Sequence, residues 1–127
     1  MEKNGVEIRE YIYDMPRLMA AADLILCRAG ASTISELCYM GKPVLMVPSP
    51  NVTENHQEKN ARVLENAGGA EVLLEGEFDA ASMLEHVKSL LADGEKLERM
   101  GAAMRTLAVP DACERIVSTI LDVCGRA

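Results

Sequence analysis

Tryptophan is absent from this chain and phenylalanine occurs once, so aromatics make up only 3% of its residues. Stacked rings therefore cannot build the interior. It has to come from Ala, Leu, Val, Ile and the eight methionines, whose flexible thioethers fill irregular gaps. Positive charge is short as well: 13 Lys and Arg stand against 20 Asp and Glu, a formal net charge of −7. That balance repels phosphate backbones and argues against general nucleic-acid binding. It also disfavours direct attraction to an anionic membrane surface. No apolar run approaches the roughly 20 residues that cross a bilayer, and the first residues do not read as a signal peptide. The four cysteines and two histidines have no metal-ligand spacing, so a zinc site is not expected, and no cofactor is implied. Cys27 falls in a strand-like run and Cys38 in the helix after it, while Cys113 and Cys124 share a helical stripe with Ile116, Val117 and Ile120. All four are read as core or near-core residues of a reduced, cytoplasmic chain.

What is present is an alternation of strand and helix within one domain of 127 residues. Strands are expected at Val6–Tyr11, Leu24–Arg28, Val44–Val47 and Glu71–Leu74, and helices at Pro16–Ala22, Thr33–Met40, Asn55–Asn66 and Ala80–Leu91. This order argues for an α/β fold, a Rossmann-like parallel sheet with flanking helices and right-handed crossovers. Further on, Met83, Leu84, Val87, Leu90 and Leu91 form one helical stripe and Leu97, Met100, Met104 and Leu107 another. These methionines are packing residues. Pro110 stops that helix, and Asp111 with Glu114 opens a last one. The acidic residues Glu71, Glu75, Glu77 and Asp79 read as solvated surface.

Two polar turns begin where strands end. In the first, Leu24-Ile25-Leu26-Cys27 runs through Arg28-Ala29-Gly30 into Ala31-Ser32-Thr33-Ile34-Ser35-Glu36. Small residues at a strand-to-helix turn leave backbone N–H groups pointing out of the helix start, where the helix dipole favours a phosphate. Glu36, one turn in, can hold the hydroxyls of a ribose. The structural alternative is a capping box, with Thr33 as the cap and Glu36 reaching back. Arg28 has two readings, positive charge near the site or a strand-end ion pair. In the second turn, Pro48 and Pro50 lead into Thr53-Glu54-Asn55-His56-Gln57-Glu58-Lys59-Asn60. His56 and Asn60 share a helical face, and the amides of Gln57 and Asn60 suit the mixed hydrogen bonding of sugar hydroxyls. An ordinary polar helix start is the alternative.

The ordered set of segments resembles a known family. Tyr11-Ile12-Tyr13-Asp14-Met15, Ala22-Asp23-Leu24-Ile25, Cys27 through Glu36, Gly41-Lys42-Pro43, His56-Gln57-x-x-Asn60-Ala61, Ala67-Gly68 and Pro110-Asp111-Ala112 are similar, in order, to the carboxy-terminal domain of the MurG family. Its members are bacterial transferases that carry N-acetylglucosamine from UDP-N-acetylglucosamine to lipid I in peptidoglycan synthesis. The resemblance implies part of the C-terminal domain of a glycosyltransferase-B fold. It implies that the Ile12 backbone pairs with the uracil edge and that Ala31, Ser32, Thr33, Ile34, Ser35 and Glu36 wrap the nucleotide sugar, Glu36 on the ribose. It also implies that His56, Gln57 and Asn60 read the N-acetylglucosamine hydroxyls. Many relatives carry glutamine at the position of His56.

The acceptor-side domain of such enzymes, with its glycine-rich loops and base, and the serine- and glycine-rich phosphate loop have no counterpart in these residues. The expectation is therefore a donor-binding piece that does not turn over alone and packs against an amino-terminal half. The parent protein would reach its lipid-linked acceptor as a peripheral protein on the cytoplasmic face of the membrane. Two other readings stay open: a related UDP-sugar glycolipid transferase, and a non-catalytic nucleotide-binding module that needs a partner chain.

Overall fold

The computed structural model describes residues 2–3 and 5–125. The organising element is a three-stranded parallel sheet of β3 (Ile25–Cys27), β4 (Val44–Met46) and β5 (Ala70–Val72), in that spatial order. The register pairs Leu26 with Leu45 and Leu45 with Glu71. All three residues of β4 are buried, as befits the middle strand of a sheet covered on both faces.

Helices α1 (Met15–Ala21), α2 (Ala31–Met40), α3 (His56–Asn66), α4 (Ala80–Ala92), α5 (Gly94–Thr106) and α6 (Ala112–Gly125) complete the fold. Side chains alternate across each strand. Val44 and Met46 therefore join Met19, Leu37, Ala61, Leu64 and Met104 in one core layer, while Leu45 joins Leu90 and Met100 in the other. Cys27 and Cys38 belong to the first layer, and burial pushes the Cys27 thiol up to about 11, so both stay protonated packing residues.

The Gly41-Lys42-Pro43 segment has a structural explanation at every position. Gly41 ends α2 in the left-handed conformation at φ 65°, where glycine carries no Cβ penalty. Lys42 Nζ donates to Ala20 O at 2.5 Å and Ala22 O at 2.9 Å, holding the last carbonyls of α1. Pro43, buried, lies against α5 at Gly101.

Several expectations are corrected. The strand expected over Val6–Tyr11 shrinks to β2 (Val6–Glu7), paired antiparallel with β1 (Glu2–Lys3) in a separate ribbon. Past Glu7 the chain continues outside any strand to α1, since propensity decides a strand less than its tertiary context does. Cys113 and Cys124 are exposed rather than near the core, because no residue of α6 is buried.

The acidic group is only partly a solvated surface. Glu71 Oε2 is 2.6 Å from His86 Nε2 of α4, and its other oxygen pairs with Lys96 of α5. Asp79 caps α4, accepting from the Ser82 amide at 2.8 Å. Partial burial raises the Glu71 carboxyl, but hydrogen bonds and charge from Lys96 and His86 outweigh it and leave it below its ordinary value. A carboxyl held low when folded contributes stability at neutral pH that is lost as pH falls through its folded value. Thermal melts below about pH 5 should therefore show a steeper acid loss for the native chain than for Glu71→Gln.

Candidate functional site

Both polar turns lie at the carboxyl ends of the parallel strands, where ligands of open α/β sheets gather. β3 runs through Arg28, Ala29 and Gly30 into α2. The helix starts at Ala31 with Gly30 as its cap, and the first intrahelical bond runs from Ile34 N to Gly30 O at 3.0 Å. The capping box on Thr33 and Glu36 is thus not formed. Gly30 and Ala31 are small enough for the chain to turn two residues earlier, and no side chain caps the helix. Among the described residues the first-turn amides consequently meet no side-chain acceptor, and no acidic residue sits in that turn. Such a terminus presents unshared N–H groups and the positive end of the dipole. Glu36 is exposed and joins no ion pair among the described residues, so its carboxylate is available.

Ser35 behaves differently from Ser32 and Thr33. Its Oγ donates back to Ala31 O at 3.1 Å, a local bond that occupies its proton.

β4 leads through Pro48, Ser49 and Pro50 to a 3₁₀ turn at Thr53–Asn55 and then to α3. Asn55 adopts φ 53°, a left-handed conformation that asparagine tolerates better than most side chains. Two of the polar residues expected to touch ligand also brace this loop. The Ser49 amide donates to Gln57 Oε1 at 2.9 Å, and Asn60 Nδ2 donates to Ala29 O at 3.4 Å. The second bond ties α3 to the turn that opens α2, so the two helix starts form one structure. His56 is exposed, with Nδ1 3.0 Å from Thr53 O. Since a carbonyl only accepts, that nitrogen is assigned the proton, leaving Nε2 as an acceptor in the neutral ring.

Between α2 and α3 lies an open depression of about 270 Å³ that brings together Ala31, Ile34, Ser35 and Asn60, with Val63 and Leu64 behind them. Glu36, His56 and Gln57 are not part of its lining. Ile12 sits in the segment before α1, half-buried between the exposed Tyr11 and Tyr13 rings, whose centroids are 4.8 Å apart. No hydrogen bond joins it to either helix start among the described residues. A larger depression, about 770 Å³, includes Gly41, Lys42, Gly94 and Arg105. It is at the far end of the sheet, and the Lys42 ammonium there is already committed to α1 carbonyls.

Arg28 takes the ion-pair reading. Its Nη1 donates to Val47 O at 3.1 Å, Pro48 O at 3.4 Å and Glu75 Oε2 at 2.9 Å, stapling the three strand ends together. The charge it brings is therefore shared with Glu75 rather than free for a ligand. Sequence reasoning missed the Ser49–Gln57 and Ala29–Asn60 bonds. Spacing carries no signal for them, because they join separate turns.

A parallel sheet with two consecutive strand–turn–helix units, opening at its carboxyl edge through an uncapped helix start, is the architecture of a Rossmann-like α/β domain. The chain belongs to the glycosyltransferase family 28 C-terminal domain family, whose profile matches residues 1–116.

A relative from Acetivibrio thermocellus, named UDP-N-acetylglucosamine--N-acetylmuramyl-(pentapeptide) pyrophosphoryl-undecaprenol N-acetylglucosamine transferase, is 45% identical over 119 residues, 94% of this chain and 32% of its own length. A protein of the same name from Listeria welshimeri is 40% identical over 118 residues, 93% of this chain and 32% of its own. Among solved structures, MurG of Acinetobacter baumannii superposes with a TM-score of 0.84 at 30% identity, covering 91% of this chain and 33% of that one. The chain spans about a third of the length of the curated relatives it matches.

Proposed function

We propose that this chain is part of the donor-binding half of an inverting glycosyltransferase that moves N-acetylglucosamine from UDP-N-acetylglucosamine to lipid I in peptidoglycan synthesis. The observation that carries the reading is the start of α2, uncapped and free of acidic residues in its first turn, with the unpaired Glu36 just beyond it and α3 tied alongside by Asn60.

In this proposal the amides of Ala31, Ser32 and Thr33 face the diphosphate. Ile34 and Ser35 line the nucleotide sugar, and Glu36 accepts from the ribose hydroxyls. Gln57, whose Oε1 is engaged by Ser49, offers its amide N–H groups to the N-acetylglucosamine, with His56 Nε2 and Asn60 beside it. The Ile12 backbone reads the uracil edge. As the glycosidic bond breaks, negative charge grows on the leaving UDP. Helix-start amides aimed at that charge bind the transition state more strongly than the ground state, which is what lowers a barrier. No residue of this set serves as the base that deprotonates the acceptor hydroxyl, so the chain binds donor without turnover. The lipid-linked acceptor is reached through the rest of the transferase, packed against this half on the cytoplasmic face of the membrane.

Glu36→Ala tests the assignment. Loss of charge-assisted hydrogen bonds worth about 1.5–3 kcal/mol should weaken UDP-N-acetylglucosamine binding by roughly 10- to 100-fold, read by saturation-transfer NMR. The melting temperature should not move, since Glu36 is exposed and unpaired. Unchanged affinity in a folded variant would remove the ribose role from Glu36.

A further inference from the structure

The segment that leads from β4 toward α3 has few ways to be held. Pro48 and Pro50 carry no N–H, so the Ser49 amide is the single backbone donor across residues 48–50. That N–H donates to Gln57 Oε1 at 2.9 Å. The carbonyl of the same peptide unit, Pro48 O, accepts from Arg28 Nη1 at 3.4 Å, and the preceding carbonyl, Val47 O, accepts from the same nitrogen at 3.1 Å. The Pro48–Ser49 peptide is trans, so its C=O and N–H point opposite ways in one plane. Arg28 therefore grips one end of this peptide and Gln57 the other. A positive group on the carbonyl polarises the unit and strengthens the N–H bond beyond it.

The consequence falls on Gln57. Its amide has an accepting end and a donating end, and rotation about the last side-chain torsion exchanges them. A backbone N–H can only donate, so the Ser49 amide holds Oε1 and leaves Nε2 for another partner.

We propose that Arg28 is a positioning residue for donor specificity. Through the Pro48–Ser49 peptide it fixes the orientation of the Gln57 amide, so that Gln57 meets the sugar as a donor only and selects an acceptor oxygen there. Arg28 itself touches no ligand, and its charge is answered by Glu75 Oε2 at 2.9 Å. The proposal rests on the donor-site reading above, in which Gln57 addresses the N-acetylglucosamine and not the nucleotide.

That division of the ligand supplies the test. Affinities for UDP-N-acetylglucosamine and for UDP are read by amide shift titration of the native chain, Arg28→Gln, Gln57→Ala and the double variant. Arg28→Gln should weaken the sugar nucleotide by roughly 2- to 10-fold, the worth of one neutral hydrogen bond. Its affinity for UDP should stay within about twofold of native. Gln57→Ala should behave alike, and the double variant should be no weaker than Gln57→Ala, because the two residues act through one bond. In the ligand-free chain the Ser49 amide should exchange faster in both single variants. Glu75→Gln separates charge from position: both affinities should stay within about twofold of native. Should Arg28→Gln fail to fold, Arg28→Lys carries the same comparison, since its ammonium ends one bond short of Nη1.

Equal weakening of UDP and UDP-N-acetylglucosamine by the Arg28 variant would overturn the proposal and leave the donor reading standing. So would additive losses in the double variant, a Ser49 amide indifferent to Arg28, or tighter binding of both ligands by Glu75→Gln, the mark of an arginine acting on the diphosphate itself. A native chain that binds neither ligand would overturn the donor reading and this proposal with it.

Discussion

Replacing Leu45 by alanine is expected to lower stability by about 2–5 kcal/mol, the usual range for a buried leucine truncated in a packed core. Leu45 is fully buried in the middle strand, hydrogen-bonded to a neighbour on each side, and is central to the layer that holds Leu90 and Met100. Helices α4 and α5 have few other large buried anchors on that face, so the hole cannot close without moving one of them. Domains of this size are stable by only about 5–15 kcal/mol, and at roughly 4 °C per kcal/mol the melting temperature should fall by about 8–20 °C. Leu84→Ala is the control. Leu84 is 53% exposed on α4, and its truncation should cost no more than about 0.5 kcal/mol. Equal losses from the two variants would mean that the layer is not packed as described.

Gly101→Ala is the second large effect, and two opposing terms decide its sign. Alanine gains up to about 1 kcal/mol of helix propensity over glycine inside α5. Its methyl group, however, would lie 2.6 Å from Gly41 O and 3.7 Å from Pro43 Cδ. The nearest atom is a backbone oxygen of the left-handed cap of α2, so no side-chain rotation relieves the clash. Overpacking of this kind costs about 1–3 kcal/mol, and the steric term should win by about 1–2 kcal/mol. Gly94→Ala, at the start of the same helix with nothing within 4 Å of the added carbon, should be neutral or slightly stabilising. Paired thermal melts of the two variants separate packing from propensity, since propensity alone would stabilise both.

The contrast between these positions shows what the sequence could disclose. The runs around Leu26, Leu45 and Val72 are apolar and bounded by turn residues, so three strands and their helices were legible to within a residue or two. The buried Met100 and Met104 follow from spacing alone. The start of α2 was misplaced because Thr33 and Glu36 mimic a capping box, while the residues that set the turn, Gly30 and Ala31, carry no side-chain signal. The segment after Glu7 reads as a strand by composition, but tertiary context, which composition does not contain, decides whether one forms. Cys113 and Cys124 follow the periodicity of a buried stripe, and periodicity cannot say which surface buries it.

The candidate site divides in the same way. Helix starts at strand ends were readable, and Glu36 stands out as a candidate ligand contact just beyond one of them. The bonds that use Gln57 and Asn60 to brace the loop and join α3 to α2 connect residues 8 and 31 positions apart, and only the fold brings them together.

Backbone amide shift mapping during titration with UDP-N-acetylglucosamine, with UDP-galactose in parallel, goes most directly to whether this chain holds a sugar-nucleotide donor. Saturable shifts should concentrate at Ala31–Glu36 and His56–Asn60 and be larger for the N-acetylglucosamine nucleotide. Shifts equal for the two sugars would favour a different UDP-sugar transferase. Absence of shifts at about 10 mM ligand, roughly tenfold above the dissociation constant of even a weak millimolar complex, or shifts confined to the depression around Lys42, Gly94 and Arg105, would contradict a donor site at the start of α2.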